Sequence, residues 1–305
     1  MRRLEPWHGR CQLQFETSER GTFHQGGCSA PFKLLRAKSG DDGRCELPLL
    51  HTAGGLVGGD QLSIELNLKP GSRSLITSVA AQKVYGSVGR SRLHPDGAWA
   101  QQSISCNMDQ NSDLEWLPQE LVLYADALHQ QTLTVCLPLS ASFLSAEIVR
   151  LGRTAAGETL NRGCWRSCLE LQRKGTDQSR WELIDRLELD QEALDATHGL
   201  SGSPVFGSLV WAAPMPLAGN QLKRLIEGAR IDREGLEGQM QCSSLDQGFI
   251  ARYAGHSSRD ARFWFSRIWA RTRLLRGLAK PRIPREWPLQ EDPISSNRYK
   301  ICYSQ

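Results

Sequence analysis

The sequence predicts a mainly β protein, and two observations support this along most of the chain. The first is a succession of short segments in which apolar and polar residues alternate, which is the period of a strand with one buried face. The second is the repeated appearance of turn residues between these segments, as at Pro70-Gly71 and Pro95-Asp96-Gly97. Many short strands at this spacing favour a mainly β architecture over alternating strand–helix units.

The strand candidates follow one another from the N-terminus. Glycines at positions 21, 26 and 27 interrupt the chain after the first segment, and Pro204 precedes the last one. The cleanest alternation comes directly after Asp60, where every second residue is Leu or Ile. The predicted strands cover residues 11–16, 32–36, 62–68, 74–79, 98–106, 114–117, 131–137, 143–151, 166–173, 181–189 and 205–212.

The last third of the sequence has a different period. Leu222, Leu225, Ile226 and Ala229 are spaced as i, i+3, i+4 and i+7, which is one face of a helix. Apolar residues between positions 261 and 278 keep a similar spacing. We therefore expect two α-helices packed on the β body. No linker marks a boundary, so residues 1–286 are predicted to form one domain, and residues 287–305, which lack periodicity, a flexible tail.

Composition narrows the classes of protein. The chain has 305 residues, a net charge of +4 and a pI near 8.6, which is too mildly basic to indicate a partner. Its first residues lack the apolar run of a secretory signal, and no stretch of about 18 apolar residues occurs. We expect a cytoplasmic protein with no membrane span.

The nine cysteines are an odd number, and in a reducing cytoplasm they are expected to be free thiols. Cys164 and Cys168 form the only close pair, and they would share one face of a strand. No second pair and no nearby histidine completes a tetrahedral zinc set. The sequence predicts no zinc site and no tightly bound cofactor.

A catalytic set is not evident. The segment around Ser201 lacks the G-x-S-x-G spacing of a nucleophile elbow, and the seven histidines are scattered without an H-x-x-x-H pair. A mainly β hydrolase would need a clustered nucleophile and histidine. We expect that this protein is not an enzyme.

A glycine-rich turn stands out at residues 51–60, which read HTAGGLVGGD. A phosphate-binding loop would end in Gly-Lys-Ser/Thr and lead into a helix, whereas here Asp60 ends the turn and a strand follows. Nucleotide binding at this turn is therefore disfavoured. The glycines allow a tight backbone path and hold the Asp60 carboxylate where the strand begins.

This turn resembles the corresponding loop of the urease accessory protein UreD family, also called UreH. Four later stretches fit the same family in the same order, so that the resemblance spans about residues 10 to 285. They are residues 80–85 (AAQKVY), 114–120 (LEWLPQE), 152–158 (GRTAAGE) and 280–283 (KPRI). The resemblance implies a helically wound β body with two helices near the C-terminus.

It also implies a non-catalytic role in urease maturation. Proteins of this family dock apo-urease and the accessory protein UreF, which recruits the GTPase UreG, and Ni²⁺ is thought to reach urease through an interior channel. Five carboxylates inside or near the matching stretches are candidates for transient passage of Ni²⁺, because oxygen ligands suit rapid exchange of the ion. They are Asp60, Glu120, Asp126, Glu147 and Glu158.

The basic segment from Arg259 to Arg285 supports an alternative. It holds nine Lys or Arg residues, one acidic residue and several interleaved aromatic residues. Such a pattern occurs in nucleic-acid-binding modules. We favour an amphipathic helix with a solvated basic face, or a protein interface, because the whole chain is only weakly basic.

Overall fold

Two β-sheets that face each other make up most of the molecule. The computed structural model describes residues 6–175 and 178–295. The strands are β1 (His8–Ser18), β2 (Gly21–Cys28), β3 (Phe32–Leu34), β4 (Lys38–Ser39), β5 (Cys45–His51), β6 (Gln61–Leu68), β7 (Arg73–Ser78), β8 (Gln82–Val84), β9 (Ala100–Met108), β10 (Asp113–Leu117), β11 (Leu121–Leu123), β12 (Leu128–Pro138), β13 (Ser142–Leu151), β14 (Cys164–Lys174), β15 (Ser179–Asp190), β16 (Val205–Ala212), β17 (Gln239–Leu245) and β18 (Gly248–Gly255). The α-helices within the described residues are α1 (Gln191–Asp195), α2 (Gly219–Ile231) and α3 (Ser258–Leu275).

The chain winds between the two sheets. Sheet A has the order β15-β14-β12-β9-β6-β1-β2, and sheet B has the order β17-β18-β16-β13-β10-β7-β5-β3, with β4, β8 and β11 attached at its sides. From β5 to β14 the longer strands belong alternately to sheet B and sheet A, and each pairs in parallel with the strand one turn earlier. This is a helically wound β body. The predicted mainly β fold with two helices in the C-terminal third is confirmed.

Some strands escaped the sequence patterns for local reasons. Strand β2 contains three glycines, and Gly26 has a φ of 101°, with the carbonyl oxygen of Gln12 only 2.1 Å from where a Cβ would lie. Glycine is therefore required there although it weakens a strand. Strand β5 contains Pro48, which has no backbone N–H to donate to a neighbouring strand. In a sequence, a proline therefore indicates a break in a strand.

The apolar side chains form two layers. The larger layer fills the space between the sheets and includes Phe15, Ile104 and Phe143. The second lies between sheet B and helices α2 and α3, where Trp211 and Trp264 are fully buried. Alternate residues of sheet B therefore face two different cores, because successive side chains of a strand point to opposite faces.

Helix α3 is buried on all sides, and the prediction of a solvated basic face for it is wrong. Every residue from Asp260 to Arg273 is buried, including four arginines. Each of these arginines donates to an acidic side chain or to backbone carbonyls, so their positive charges are balanced inside the molecule. The acidic partners of the α3 segment are Glu120 for Arg262, Asp232 for Arg271, Glu115 for Arg273 and Asp113 for Arg276.

None of the helices in residues 6–175 and 178–295 is long and apolar enough to cross a membrane.

The strongest of these contacts form a buried charge cluster between sheet B and α3. Glu115 is fully buried and accepts from Arg273 Nε at 2.8 Å, while Arg44 Nη1 lies 3.5 Å from its other oxygen. Arg44 also donates to Asp113 at 2.6 Å. Burial alone would raise the pKa of Glu115, but the guanidinium groups of Arg44 and Arg273 outweigh burial and lower it. The cluster remains ionised and joins α3 to the sheet.

The expected tail packs in its described part. Trp287 is buried, and its Nε1 donates to Thr77 Oγ1 at 2.8 Å. Further along, Arg267 Nε donates to the Pro293 carbonyl at 3.2 Å, and Ile294 is fully buried. Residues 287–295 therefore lie against the body, because their apolar side chains cover α3, rather than extending as a loose segment. Residues 296–305 of the expected tail are outside the described residues.

The charge cluster is predicted to be sensitive to the loss of one partner. Glu115→Ala leaves the buried Arg273 without its carboxylate partner, while Arg44 keeps Asp113, and should lower the free energy of unfolding by about 3–5 kcal/mol. Glu227→Ala is the control, since its side chain is 54% exposed in a helical ion pair with Lys223, and it should change stability by less than about 0.5 kcal/mol. Urea denaturation measures both. Equal effects of the two substitutions would show that the cluster does not hold α3.

Candidate functional site

The glycine-rich turn holds Asp60 as the sequence predicted, but its carboxylate is occupied. Asp60 is 1% exposed; Oδ1 accepts from the Trp7 N–H at 2.8 Å and Oδ2 from the Val57 N–H at 2.9 Å. Gly58 cannot carry a side chain here, because a Cβ would lie 2.2 Å from Ser87 Oγ. The carboxylate thus ties the turn to the N-terminal segment, and both oxygens serve backbone donors.

Three other candidates face arginines. Glu120 Oε1 accepts from Arg262 Nε at 3.3 Å, and Asp126 Oδ1 accepts from Arg162 Nε at 3.2 Å. Glu158 pairs with Arg153, whose hydrogen bond lowers the pKa of this carboxyl below its ordinary value. These contacts balance the negative charges of all three.

Glu147 differs from the other four candidates. It lies on β13, faces sheet A, and accepts from the side-chain amide of Gln131 on β12. Burial is the main cause that raises its pKa to about 7, and the neighbouring Asp185 adds to the effect. Its charge state therefore changes in the neutral range. The other four candidates hold backbone N–H groups or arginines in place, whereas the carboxyl group of Glu147 can change its charge near neutral pH.

Glu147 stands where two cavities between the sheets adjoin. One, of about 60 Å³, is also lined by His51 and Gln82. The other, of about 20 Å³, is also lined by Ser167 and Asp185. Trp116, Gln131 and Glu147 line both. Cavities of this size hold one or a few waters when polar groups line them.

Eight of the polar side chains that line these cavities form a row across successive strands, which we call the polar row. Each member occupies an inward position of its strand, and the row runs from the β5 end of the β body to the β15 end. Its members are His51, Gln82, Gln102, Gln131, Glu147, Ser167, Ser208 and Asp185.

Several members of the polar row lack a protein partner. Both ring nitrogens of His51, Nε2 of Gln82 and Oγ of Ser208 are buried without a hydrogen bond to the protein. Native interiors rarely leave such groups unpaired, and those that are found call for bound water or an ion. Burial lowers the pKa of His51, which keeps its ring neutral, and Asp60 opposes this effect. The polar row therefore places neutral and acidic side chains, whose oxygen and nitrogen atoms can bind a metal ion, inside an otherwise apolar layer.

The structure brings some of the five candidates together. Asp60 is close enough to His51 to influence its titration, and His51 shares a cavity with Glu147. The Glu120 carbonyl accepts from the Gln82 N–H at 2.8 Å, although its side chain turns toward α3. Asp126 and Glu158 meet at a loop end, where the Ala125 N–H donates to Glu158. The assignment of all five to one ion path stays a prediction.

Most of the polar row was missed in the sequence. Glutamine and serine are common on protein surfaces, so their residue type does not indicate an interior position. Only their place in the strand does, because they stand at the alternate positions whose side chains point inward. In β12, for example, Gln131 has the same parity as the buried Leu133 and Val135. A polar residue at an apolar position of an alternating segment is the signal that would have found it.

The cysteine pair of β14 does not form a ligand set in the described structure. Cys164 is buried, and burial with the nearby Glu188 raises the pKa of its thiol to about 11. A thiol must lose its proton to bind a metal ion. Cys168 Sγ lies 3.6 Å from Glu170 Oε1 on the same strand. Over residues 6–175 and 178–295, no three side chains of His, Cys, Asp or Glu are grouped to hold a metal.

The geometry of Asp60 yields a prediction about the turn. Asp60→Ala removes two buried hydrogen bonds to backbone donors and should lower the free energy of unfolding by about 1–3 kcal/mol. Asp96→Ala, at an exposed turn residue, is the control and should change stability little. Urea denaturation is the measurement. A variant as stable as wild type that transfers less metal would instead assign the carboxylate to the ion path.

Comparison with known proteins agrees with the sequence resemblance over nearly the whole chain. A family model described as UreD urease accessory protein matches residues 8–288. The urease accessory protein UreD of Parasynechococcus marenigrum (strain WH8102) is 77% identical over 299 residues, covering 98% of this chain and 96% of that protein. The UreD proteins of Synechococcus sp. strains WH7805 and RCC307 are 68% and 50% identical, over 98% and 96% of this chain and 97% and 94% of their own lengths. The chain belongs to the UreD family of urease accessory proteins.

Proposed function

We propose that this protein is a non-catalytic scaffold of urease maturation that passes Ni²⁺ between its two sheets into apo-urease. Two observations support the proposal. The chain belongs to a family of urease accessory proteins. The polar row lines two interior cavities with oxygen and nitrogen atoms that can bind a metal ion, and Glu147 lies where the two cavities adjoin.

The chemistry of the polar row suits transit better than storage. Amide, hydroxyl and carboxylate oxygens bind Ni²⁺ less tightly than thiolates or several imidazoles do, so that the ion exchanges quickly. Glu147 carries the negative charge needed to attract the ion only when it is ionised. Since the pKa of Glu147 is raised to about 7, the carboxylate is mostly neutral below that pH and mostly charged above it. Transit should therefore become faster as the pH rises through 7.

The partners follow from the same proposal. UreF binds this chain in the cytoplasm, UreG joins through UreF and hydrolyses GTP, and apo-urease receives the ion. The alternative of a nucleic-acid-binding module using the basic helix loses its main support, because the α3 arginines between Asp260 and Arg273 are buried and paired with acidic residues or carbonyls.

A reconstituted complex tests the proposal. This chain, UreF, UreG and apo-urease should elute together in size-exclusion chromatography, and urease in the complex should acquire nickel and activity. Glu147→Gln should keep the complex assembled but reduce the rate of nickel loading at pH 8 and remove its rise between pH 6 and pH 8, because the amide cannot ionise.

Glu188→Gln provides the matched control for this experiment. Its carboxylate lies on the outer face, 55% exposed and paired with Arg166, so loading should match that of wild type. Separate elution of this chain and UreF at micromolar concentration, with both folded, would contradict the scaffold role. Normal loading by Glu147→Gln with an unchanged pH profile would remove Glu147 from the path.

The isolated protein is predicted to retain no stoichiometric nickel or zinc after desalting. The polar row contributes mainly neutral oxygen and nitrogen donors, and the β14 cysteines provide two donors at most. Elemental analysis of the purified chain measures the metal content, and Cys164→Ala is the comparison. One retained metal per chain that disappears in Cys164→Ala would reveal a true metal site on β14.

A further inference from the structure

An ion pair bridges the two sheets at the last turn of the β body. Asp185 lies on β15, the end strand of sheet A, and Arg252 lies on β18, next to the end strand of sheet B. Arg252 Nη2 is 2.6 Å from Asp185 Oδ2. The pair thus crosses the space between the sheets where the polar row ends.

The pair is in contact with both the interior and the solvent. Asp185 lines the same cavity as Glu147, and its charge raises the pKa of Glu147 whereas that of Arg252 lowers it. The Asp185 and Arg252 side chains are 16% and 27% exposed. Asp185 therefore lies between the cavity that Glu147 lines and the partly exposed Arg252.

Arg252 has unused donor capacity. Its Nη2 binds Asp185 and its guanidinium lies 5.5 Å from the centre of the Phe206 ring, but its Nη1 is buried without a hydrogen-bond partner. A guanidinium offers five N–H donors in a planar fork that suits a carboxylate at two of its edges. The unpaired Nη1 is buried, but the Arg252 side chain is 27% exposed, so a second carboxylate arriving from outside would compete with Asp185 for the guanidinium.

We propose that Asp185 and Arg252 form a gate at this end of the passage, opened by a carboxylate of the docked protein that receives the ion. This inference rests on the proposed passage of Ni²⁺. With the gate closed, the Arg252 cation neutralises Asp185 and repels a divalent ion approaching from Glu147. With the gate open, Arg252 binds the partner's carboxylate, and Asp185 becomes the next oxygen ligand for the ion.

Chelator protection tests the gate. Nickel loading of apo-urease by the reconstituted complex is measured with and without excess EDTA in the buffer. The wild-type complex should load urease in both conditions, because the gate stays closed until the partner docks and the docked partner then covers the open gate. Arg252→Met should load urease in plain buffer but lose most of this loading in EDTA.

Arg186→Met is the control, because Arg186 makes a similar ion pair, 3.1 Å from Glu170, on the outer face of the same strand. It should remain as protected as wild type. Protected loading by Arg252→Met would overturn the gate and leave the passage standing. Loss of all loading in EDTA by the wild-type complex would instead contradict an enclosed passage, and with it the proposed function.

The affinity of this chain for apo-urease tests the proposed carboxylate of the docked protein separately from metal transfer. Arg252→Met should weaken the affinity for apo-urease by about tenfold at low salt, and Arg186→Met should not. Urea denaturation of each variant confirms that the fold is kept, and Arg252→Gln, which also removes the charge, serves if Arg252→Met does not fold. Unchanged affinity of a folded Arg252 variant for apo-urease would refute the docking carboxylate.

Discussion

The register of the wound chain is the constraint on which the rest of the structure depends. Each turn places one strand in sheet A and one in sheet B, and neighbouring turns pair in parallel without slipping, as Ile64 beside Ile104 shows. Because side chains alternate between the two faces of a strand, this register aligns the inward residues of successive turns. An apolar layer results where these residues are Leu, Ile and Phe, and a polar row results where they are Gln, Ser and Glu.

The polar row is an unusual use of this interior. Burying amides, hydroxyls and a carboxyl without full pairing costs stability that an all-apolar layer would retain. The second core, between sheet B and the helices, buries Trp211, Trp264 and Trp269, and such apolar burial offsets this cost. Several polar atoms of the interior, including both ring nitrogens of His51, have no hydrogen-bond partner in the protein.

The arginines of the α3 segment show how charge serves structure here. Arg273 and Arg276 reach across to Glu115 and Asp113 of β10, more than 150 residues earlier in the chain. These pairs join α3 to β10 in the middle of sheet B. The acidic residues near the charge cluster are therefore occupied, which leaves Glu147 and Asp185 as the carboxylates that line the cavities of the interior.

The sequence by itself determined the mainly β class, most of the longer strands, α2 and α3, and the tight turn that presents Asp60. These features depend on local period and on turn residues, which can be recognised over a few positions.

Tertiary structure alone decided the charge state and the exposure of the functional candidates. The α3 arginines read as a solvated basic face because their partners, such as Glu115, are far away in sequence. In the sequence nothing distinguishes Glu147 from the other candidate carboxylates, because its neighbours Gln131 of β12 and Asp185 of β15 lie beside it only in the folded chain. Its raised pKa is a property of burial among those strands, and burial is set by the packing of the whole chain.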